Sequence, residues 1–331
     1  MKRSMIQIGF LIIFLLLLTL LPFMIKSQYF LSLLISLFIY ITLAESWNLL
    51  GGYTGQVSLG HGAFFGVGSL VTRILWTQNI PIYIALPIGG LSTSFLSAIV
   101  GIPCFRMRLA YFPIGTLALS MIALLTVSNL FIEASALPPE ILKSYEILSR
   151  YYLGLITAGL TVILIYYLVR SRSGLAMVAI RENEKAASAI GIKTLKYKTL
   201  SLLISTFLAG LAGGVYAYQH VSYYLDAPFD LTWSFAPALT TFIGGLGTII
   251  GPILGSVCFL VLGEIFAVTL GEVHVLIFGF CFILIVIFLP GGLLSLSQQG
   301  IFGWRRSLNP LKNKISTFYI KNKSRNLNKT K

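Results

Sequence analysis

The sequence predicts an all-α integral membrane protein of about ten transmembrane helices, with Gly-rich segments that break or re-enter. Three observations lead there. Mean hydropathy is +0.88, with 56% hydrophobic and only 10% charged residues, far from the averages of soluble domains. Apolar runs of about 20 residues, the length that crosses a hydrocarbon core, recur almost from end to end of the 331 residues. The stretch Asn48 to Leu70, NLLGGYTGQVSLGHGAFFGVGSL, places seven glycines between two such runs. Each interior glycine costs up to about 1 kcal/mol of helix propensity, so the pattern implies bent backbone or closely approaching helices. Gln56, Ser58 and His61 sit among the glycines. Irregular polar backbone at membrane depth is tolerated only when buried in protein or lining a wet cavity. The stretch therefore reads as part of a solute path.

Taken in order, Lys2 and Arg3 precede a run from Ile8 to Ile25. The first alanine is Ala44, so an A-x-A cleavage site is missing and the run reads as an uncleaved first helix. Further spans are expected over Tyr29 to Leu50, Gly62 to Thr77 (short and Gly-led), Ile82 to Phe105, Tyr111 to Ile132 and Tyr151 to Val169. Four more follow at Thr199 to Gln219, Trp233 to Ile250, Pro252 to Leu270 and Val273 to Leu289. One membrane domain is expected over 1–294, followed by a basic tail over 295–331 whose Lys, Asn and Ser content predicts disorder.

Charge sets the expected orientation. An inside amino terminus puts twenty of the 24 basic residues on the cytoplasmic face and leaves Lys26, Arg73, Lys143 and Arg150 outside. Both termini are then cytoplasmic, and the net charge of +14 reflects topology and contact with anionic lipid rather than nucleic acid. Trp47, Trp76, Trp233 and Trp304 all fall near span ends, where amphipathic rings favour the headgroup level. The outer loop from Glu133 to Arg150 contains Pro138-Pro139, with a short amphipathic helix expected after them.

The inner loop from 170 to 198 is long, charged and helix-friendly. In RENEKAASAIGIK, Ala186, Ala187, Ala189 and Ile190 form a small apolar face. Arg181, Glu182, Glu184 and Lys185 remain solvated, and Gly191 ends the helix. Such a helix suits docking into a partner's groove, or is simply a solvated loop helix. Gly210, Gly213 and Gly214 share one helix, while Gly247, Gly251 and Gly255 are spaced four apart in GGLGTIIGPILGS. Both sets read as helix-packing faces, and the second block is a candidate counterpart of the first in two related halves.

Several function classes are excluded or disfavoured. There is no GxxxxGK[ST] motif, so the chain carries no phosphate loop. Cys104, Cys258 and Cys281 lack CxxC spacing and read as small core residues, and no metal is expected. No His, Asp and Glu cluster has catalytic spacing, so no enzyme is expected. Glu45 and Glu264 are acids within predicted spans and are costly there. Each is either a path residue or a locally paired group. His61 is either a packing histidine or a path-lining one, and Gln56 and Ser58 are candidates to meet the charged ends of a zwitterion.

With these residues in view, the chain resembles the LivM-type permease subunit of branched-chain amino acid ABC importers. The Gly-rich block resembles that family's Asn-Leu, Gly-Tyr-x-Gly-Gln and Ser-Leu-Gly-His signature. Tyr111-Phe112 with Thr116-Leu117-Ala118, SGLAMVAIRENEKAASAIGIKTLKYK with the AGLAG that follows, GGLGTIIGPILGS, and Pro290-Gly291-Gly292-Leu293 are similar to its later blocks. The resemblance implies a non-catalytic pore subunit in the bacterial inner membrane, beside a second permease of LivH type. Two cytoplasmic ATPases would hold ATP and Mg, and an external binding protein would deliver leucine, isoleucine or valine. The expected path residues are Gly55, Gln56, Ser58, His61, Phe64, Tyr111 and Thr116, and Phe65 and Phe112 are further greasy lining for an apolar side chain. The implied coupling residues are Arg181, Glu182, Glu184, Ala186, Ala187 and Gly191. Lys185-Ala186-Ala187 with Gly191 keeps the EAA-x3-G spacing, but Lys replaces the first Glu. The outer residues LFIEASAL depart from the family's Thr-Gly-Gly loop, which leaves a urea or short-amide cargo open. An ion-coupled secondary carrier is the rival from another class.

Overall fold

A computed structural model of the chain describes residues 18–25, 27–105, 111–130, 146–270, 279–280 and 291–294. Its helices are α1 (Gln28–Trp47), α2 (His61–Thr77), α3 (Ile82–Cys104), α4 (Tyr111–Leu130), α5 (Ile147–Arg170), α6 (Arg172–Glu182), α7 (Glu184–Ala189), α8 (Thr194–Gln219), α9 (Thr232–Gly244) and α10 (Ile250–Leu270). A π-helical turn, Asn48–Tyr53, prolongs α1, and a 3-10 turn, Ala227–Phe229, precedes α9. No strand occurs among the described residues. Most of the first and last expected spans, the outer loop up to residue 145 and the tail from 295 lie outside them, as do Cys281 and Trp304.

Among the described residues six helices are long and apolar enough to cross a membrane: α1 with its π turn, α3, α4, α5, α8 and α10. The expected spans at Gly62 to Thr77 and Trp233 to Ile250 are corrected. α2 has 17 residues and α9 only 13. At 1.5 Å per residue α9 covers about 20 Å, too short for a ~30 Å core. Its apolar run continues past Gly244, but Gly245 and Gly247 take φ of +136° and +69° and stop the helix.

α8 is the central pillar. α1 runs antiparallel to it, with Gln219 Nε2 donating to Ser32 O at one end and Ser205 Oγ to Ser46 O mid-helix. α3 is also antiparallel, tied by Thr93 Oγ1 to Thr206 O and Ser94 Oγ to Leu203 O. α2 lies parallel to α8 and almost touches it. A Cβ on Gly68 would sit 2.4 Å from Gly210 Cα, and one on Gly210 would meet Thr93 Oγ1 at 2.5 Å. Helix backbones approach that closely only through glycine, which replaces an absent hydrophobic drive with dispersion contact. On the other flank, a Cβ at Gly255 of α10 would fall 1.8 Å from Thr240 O of α9.

The remaining helix faces are greasy. Leu91, Phe95 and Ile99 on α3, Leu160 and Tyr167 on α5, and Val261 and Val268 on α10 are all exposed, as in a chain solvated by lipid or by another subunit. Arg73 and Arg150 hold the end of the bundle opposite α6 and α7. Arg73 donates to Ala217 O, His220 O and Val221 O, with Trp76 and Tyr223 rings against its guanidinium. Arg150 donates to Tyr218 O. Two headgroup-level expectations fail. Trp233 stacks on Phe65 at 4.3 Å inside the bundle. Trp47 is fully buried and donates Nε1–H to Ser58 O at 2.6 Å, so this ring anchors an irregular segment instead of an interface.

Candidate functional site

The interruptions of the two short helices create the site. After the π turn, residues 54–60 leave Arg181 at the α6 end and climb without helix to the middle of the bundle, where α2 begins. After α8, residues 220–231 descend from the opposite end, with a single 3-10 turn, until α9 begins. Each is a half-span, and the two run in opposite senses. Their first turns meet: Gly62 N donates to Ser234 Oγ at 3.1 Å, Ser234 Oγ lies 3.0 Å from Ser120 Oγ, and Ala63 N donates to Ser120 Oγ at 3.2 Å. Rings pack beside this junction, with Trp233 stacked on Phe65 at 4.3 Å and on Tyr40 at 5.5 Å.

Unwound backbone at this depth needs partners from the protein, and the sequence supplies them. Gln56 N donates to Leu50 O, Leu59 N to Thr116 Oγ1 and Gly60 N to Ser58 Oγ, while Ser58 O accepts from Trp47. His61 is fully buried with Nε2 2.8 Å from Ser205 Oγ. That hydroxyl has one proton and donates it to Ser46 O at 2.7 Å, so Nε2 is the protonated nitrogen. Nδ1 has no partner among the described residues. Ser205→Ala is therefore expected to strand both His61 Nε2–H and Ser46 O, lowering stability by roughly 1–3 kcal/mol. Thermal melts in detergent check this, with Ser205→Thr expected to retain most of the loss-free behaviour.

The seven sequence-expected path residues do not form one surface. Ser58, His61, Phe64 and Thr116 are buried in the mid-bundle region. Gly55 and Gln56 lie at the α6 end, half-buried, and Gly55 needs its φ of +75° to turn the chain upward. Tyr111 stands apart, 57% exposed at the start of α4. Sequence reasoning placed Ser205 only among the residues that carry the family resemblance and missed Ser120 and Ser234, single hydroxyls on apolar helices with no local pattern to mark them. Glu45 is fully buried on α1. Its carboxyl oxygens lack hydrogen-bond geometry to any described group, although the Asn48 amide lies beside them. Glu264 accepts from Tyr29 Oη.

The inner loop folds as an elbow of two helices, correcting the single helix expected there. Asn183 takes an extended conformation, ends α6 and caps α7 by accepting from Ala186 N at 3.1 Å. The expected apolar face splits: Ala187 is buried, whereas Ala186, Ala189 and Ile190 are exposed. Two groups expected to be solvated are engaged. Glu184 pairs with Lys198 of α8 at 2.6 Å, and Arg181 Nη1 donates to Gly52 O at 2.9 Å. Gly191 takes φ of +90° with open space around it. Among the packing glycines, Gly251 packs against Gly245 and Thr248 of the turn after α9, and Gly210, Gly214 and Gly255 lie at close helix contacts. Gly247 does not: it belongs to the turn after α9, not to a helix with Gly251 and Gly255. The segment that meets the first Gly-rich block at mid-bundle is 220–244.

Interrupted helices meeting in a lipid-solvated bundle define a multi-pass membrane permease. Residues 29–286 match the family described as the permease component of branched-chain amino acid transport systems, and the chain belongs to that family. It is 25% identical to the high-affinity branched-chain amino acid transport system permease protein LivM of Escherichia coli over 293 residues, covering 78% of this chain and 68% of that protein. LivM of Salmonella typhimurium matches equally. A probable LivM of Methanocaldococcus jannaschii is 29% identical over 93 residues, 28% of this chain and 27% of that one. No solved structure matches. Among the described residues no group of His, Cys, Asp and Glu has the geometry to hold a metal ion.

Proposed function

We propose that this chain is the membrane-spanning permease subunit of an ABC importer for leucine, isoleucine and valine. The observation that carries the reading is the mid-bundle meeting of α2 and α9, at Gly62 N and Ser234 Oγ. A junction of two half-spans is a place where small rotations open or close a path. Ser58, His61 and Thr116 supply polar groups there, and Phe64, Phe65 and Phe112 supply an apolar wall for a branched side chain. Ser58, His61, Phe64 and Ser234 are buried in this state, which fits alternating access.

In this reading the elbow of α6 and α7 is cytoplasmic and docks on one of two ATPase subunits, which hold ATP and Mg. Ile190, 78% exposed, with Ala186 and Ala189 forms the seated surface. Gly191 keeps the turn beyond α7 free of a side chain. A LivH-type subunit covers part of the greasy outer face, and an external binding protein delivers solute at the Arg73 and Arg150 end. The permease domain spans 1–294, and the basic tail over 295–331 rests on anionic headgroups of the bacterial inner membrane, with both termini cytoplasmic. Glu45 favours a second reading, an ion-coupled carrier, because a buried carboxyl is the usual seat of a translocated proton.

The test is uptake of labelled leucine, isoleucine, valine and urea in cells lacking their own systems, with and without the ATPases and binding protein. ATPase-dependent uptake of the three amino acids is expected. Uptake of urea alone would change the cargo, and uptake by this chain alone that collapses with the ion gradient would replace the importer with a carrier.

A further inference from the structure

Three glycine backbones and one guanidinium converge where the elbow meets the bundle. Arg181, the penultimate residue of α6, donates Nη1–H to Gly52 O at 2.9 Å across 129 residues of sequence. Its side-chain stem fills the space beside Gly55, where a Cβ would lie 3.0 Å from Arg181 Cγ. The same Nη1 blocks Gly247, where a Cβ would meet it at 2.6 Å. Glu182 Oε1 accepts from both Nε at 3.1 Å and Nη2 at 2.7 Å, which fixes the plane of the guanidinium and leaves Nη1 for the bundle. Gly52 and Gly247 are themselves clamped together by Asn48, which accepts from Gly247 N at 2.9 Å and donates to Thr248 O at 2.7 Å.

The connectivity gives this cluster its meaning. Gly52 and Gly55 flank the point where the first unwound half-span starts, and Gly247 lies three residues after the end of α9. One side chain therefore touches the inner end of each interrupted span, and it belongs to the helix joined through Asn183 to α7. We infer that Arg181 is a positioning residue that transmits movement of the α6–α7 elbow to both half-spans at once. The inference rests on the importer reading above and adds the route by which an ATPase stroke reaches the mid-bundle junction. A rigid-body tilt of the elbow drags Gly52 O through Nη1, and the Gly247 turn follows because Asn48 ties it to the same π turn. The half-spans run in opposite senses, so that common pull moves their abutting first turns relative to one another.

Lysine cannot substitute fully, because one ammonium lacks the planar fork that holds Glu182 and Gly52 O together. The test measures the assembled importer in proteoliposomes, with ATP hydrolysed and leucine transported recorded on the same sample. Arg181→Ala is expected to raise the ATP consumed per leucine transported by at least about fivefold, the lower end of a usual coupling factor. Arg181→Lys is expected to fall between it and the native chain. Spin labels at Ser188→Cys, exposed on α7 outside the seated surface, and Leu246→Cys should keep their separation between nucleotide-free and ATP-trapped states in the native background and lose it in Arg181→Ala. An unchanged ratio of ATP to leucine, or label distances that respond identically with and without the guanidinium, would overturn the inference. Absence of ATP-dependent transport by the native complex would instead sink the importer reading, and the two failures are distinguishable.

Discussion

Gly68→Val is expected to destroy the fold outright. Its Cβ would lie 2.4 Å from both Gly210 Cα and Gly210 O, which are backbone atoms in the middle of the pillar helix. Neither can move without displacing Gly210 from Gly90 and Thr93 behind it. Overpacking of side chains costs roughly 1–3 kcal/mol, and a clash of two helix backbones with nothing flexible between them falls at or beyond about 3 kcal/mol. The variant should give no monodisperse peak by fluorescence-detected size exclusion at a temperature where the native chain does. Gly159→Ala is the control. It sits on α5 with nothing within 4 Å of a new Cβ, and should match or exceed native stability by up to about 1 kcal/mol of helix propensity.

The second large effect is expected at Asn48. Both ends of its amide are used on the turn after α9, by Gly247 N and Thr248 O, and the residue is fully buried. Asn48→Ala leaves a donor and an acceptor unpaired, each costing roughly 1–3 kcal/mol when water cannot reach it. The turn would also lose its attachment to the end of α1, so uptake is expected to fall to background even in membranes that still contain the protein. Asn48→Asp separates the two functions. It can still accept from Gly247 N but presents a second acceptor to Thr248 O, so it should fail almost as badly. Uptake in Asn48→Asp close to the native level would contradict the clamp.

These effects also show which parts of the molecule a linear reading reaches. The Gly-rich block was legible because a glycine cluster inside an apolar run contradicts a lipid-facing helix, whatever its fold. The break at Gly244 to Gly247 was not, because hydropathy runs smoothly from Trp233 to Ile250 and only positive φ reveals that the helix has ended. For the same reason the descending segment 220–231 read as an ordinary outer loop, although Tyr223 and Phe229 are buried in it. Trp47 obeyed the positional rule for interfacial rings and broke it in space, since an indole N–H beside an unwound carbonyl is worth more than a headgroup contact. In the elbow, composition located the exposed apolar residues. It could not show that Asn183 would end one helix and start another, or that Arg181 would turn inward, because both depend on partners far along the chain.

Solute is expected to pass at the junction of α2 and α9. The most direct measurement is modification of Ser234→Cys by a small soluble thiol reagent in a background without Cys104, Cys258 and Cys281, in the assembled transporter. Ser234 is fully buried in the state described here. A cysteine there should be unreactive at rest, react during ATP turnover, and be slowed by leucine. Ile190→Cys in the free chain without its partners, where Ile190 is 78% exposed, reports that the reagent is active. A Ser234→Cys that stays unreactive through sustained transport would place the solute path elsewhere.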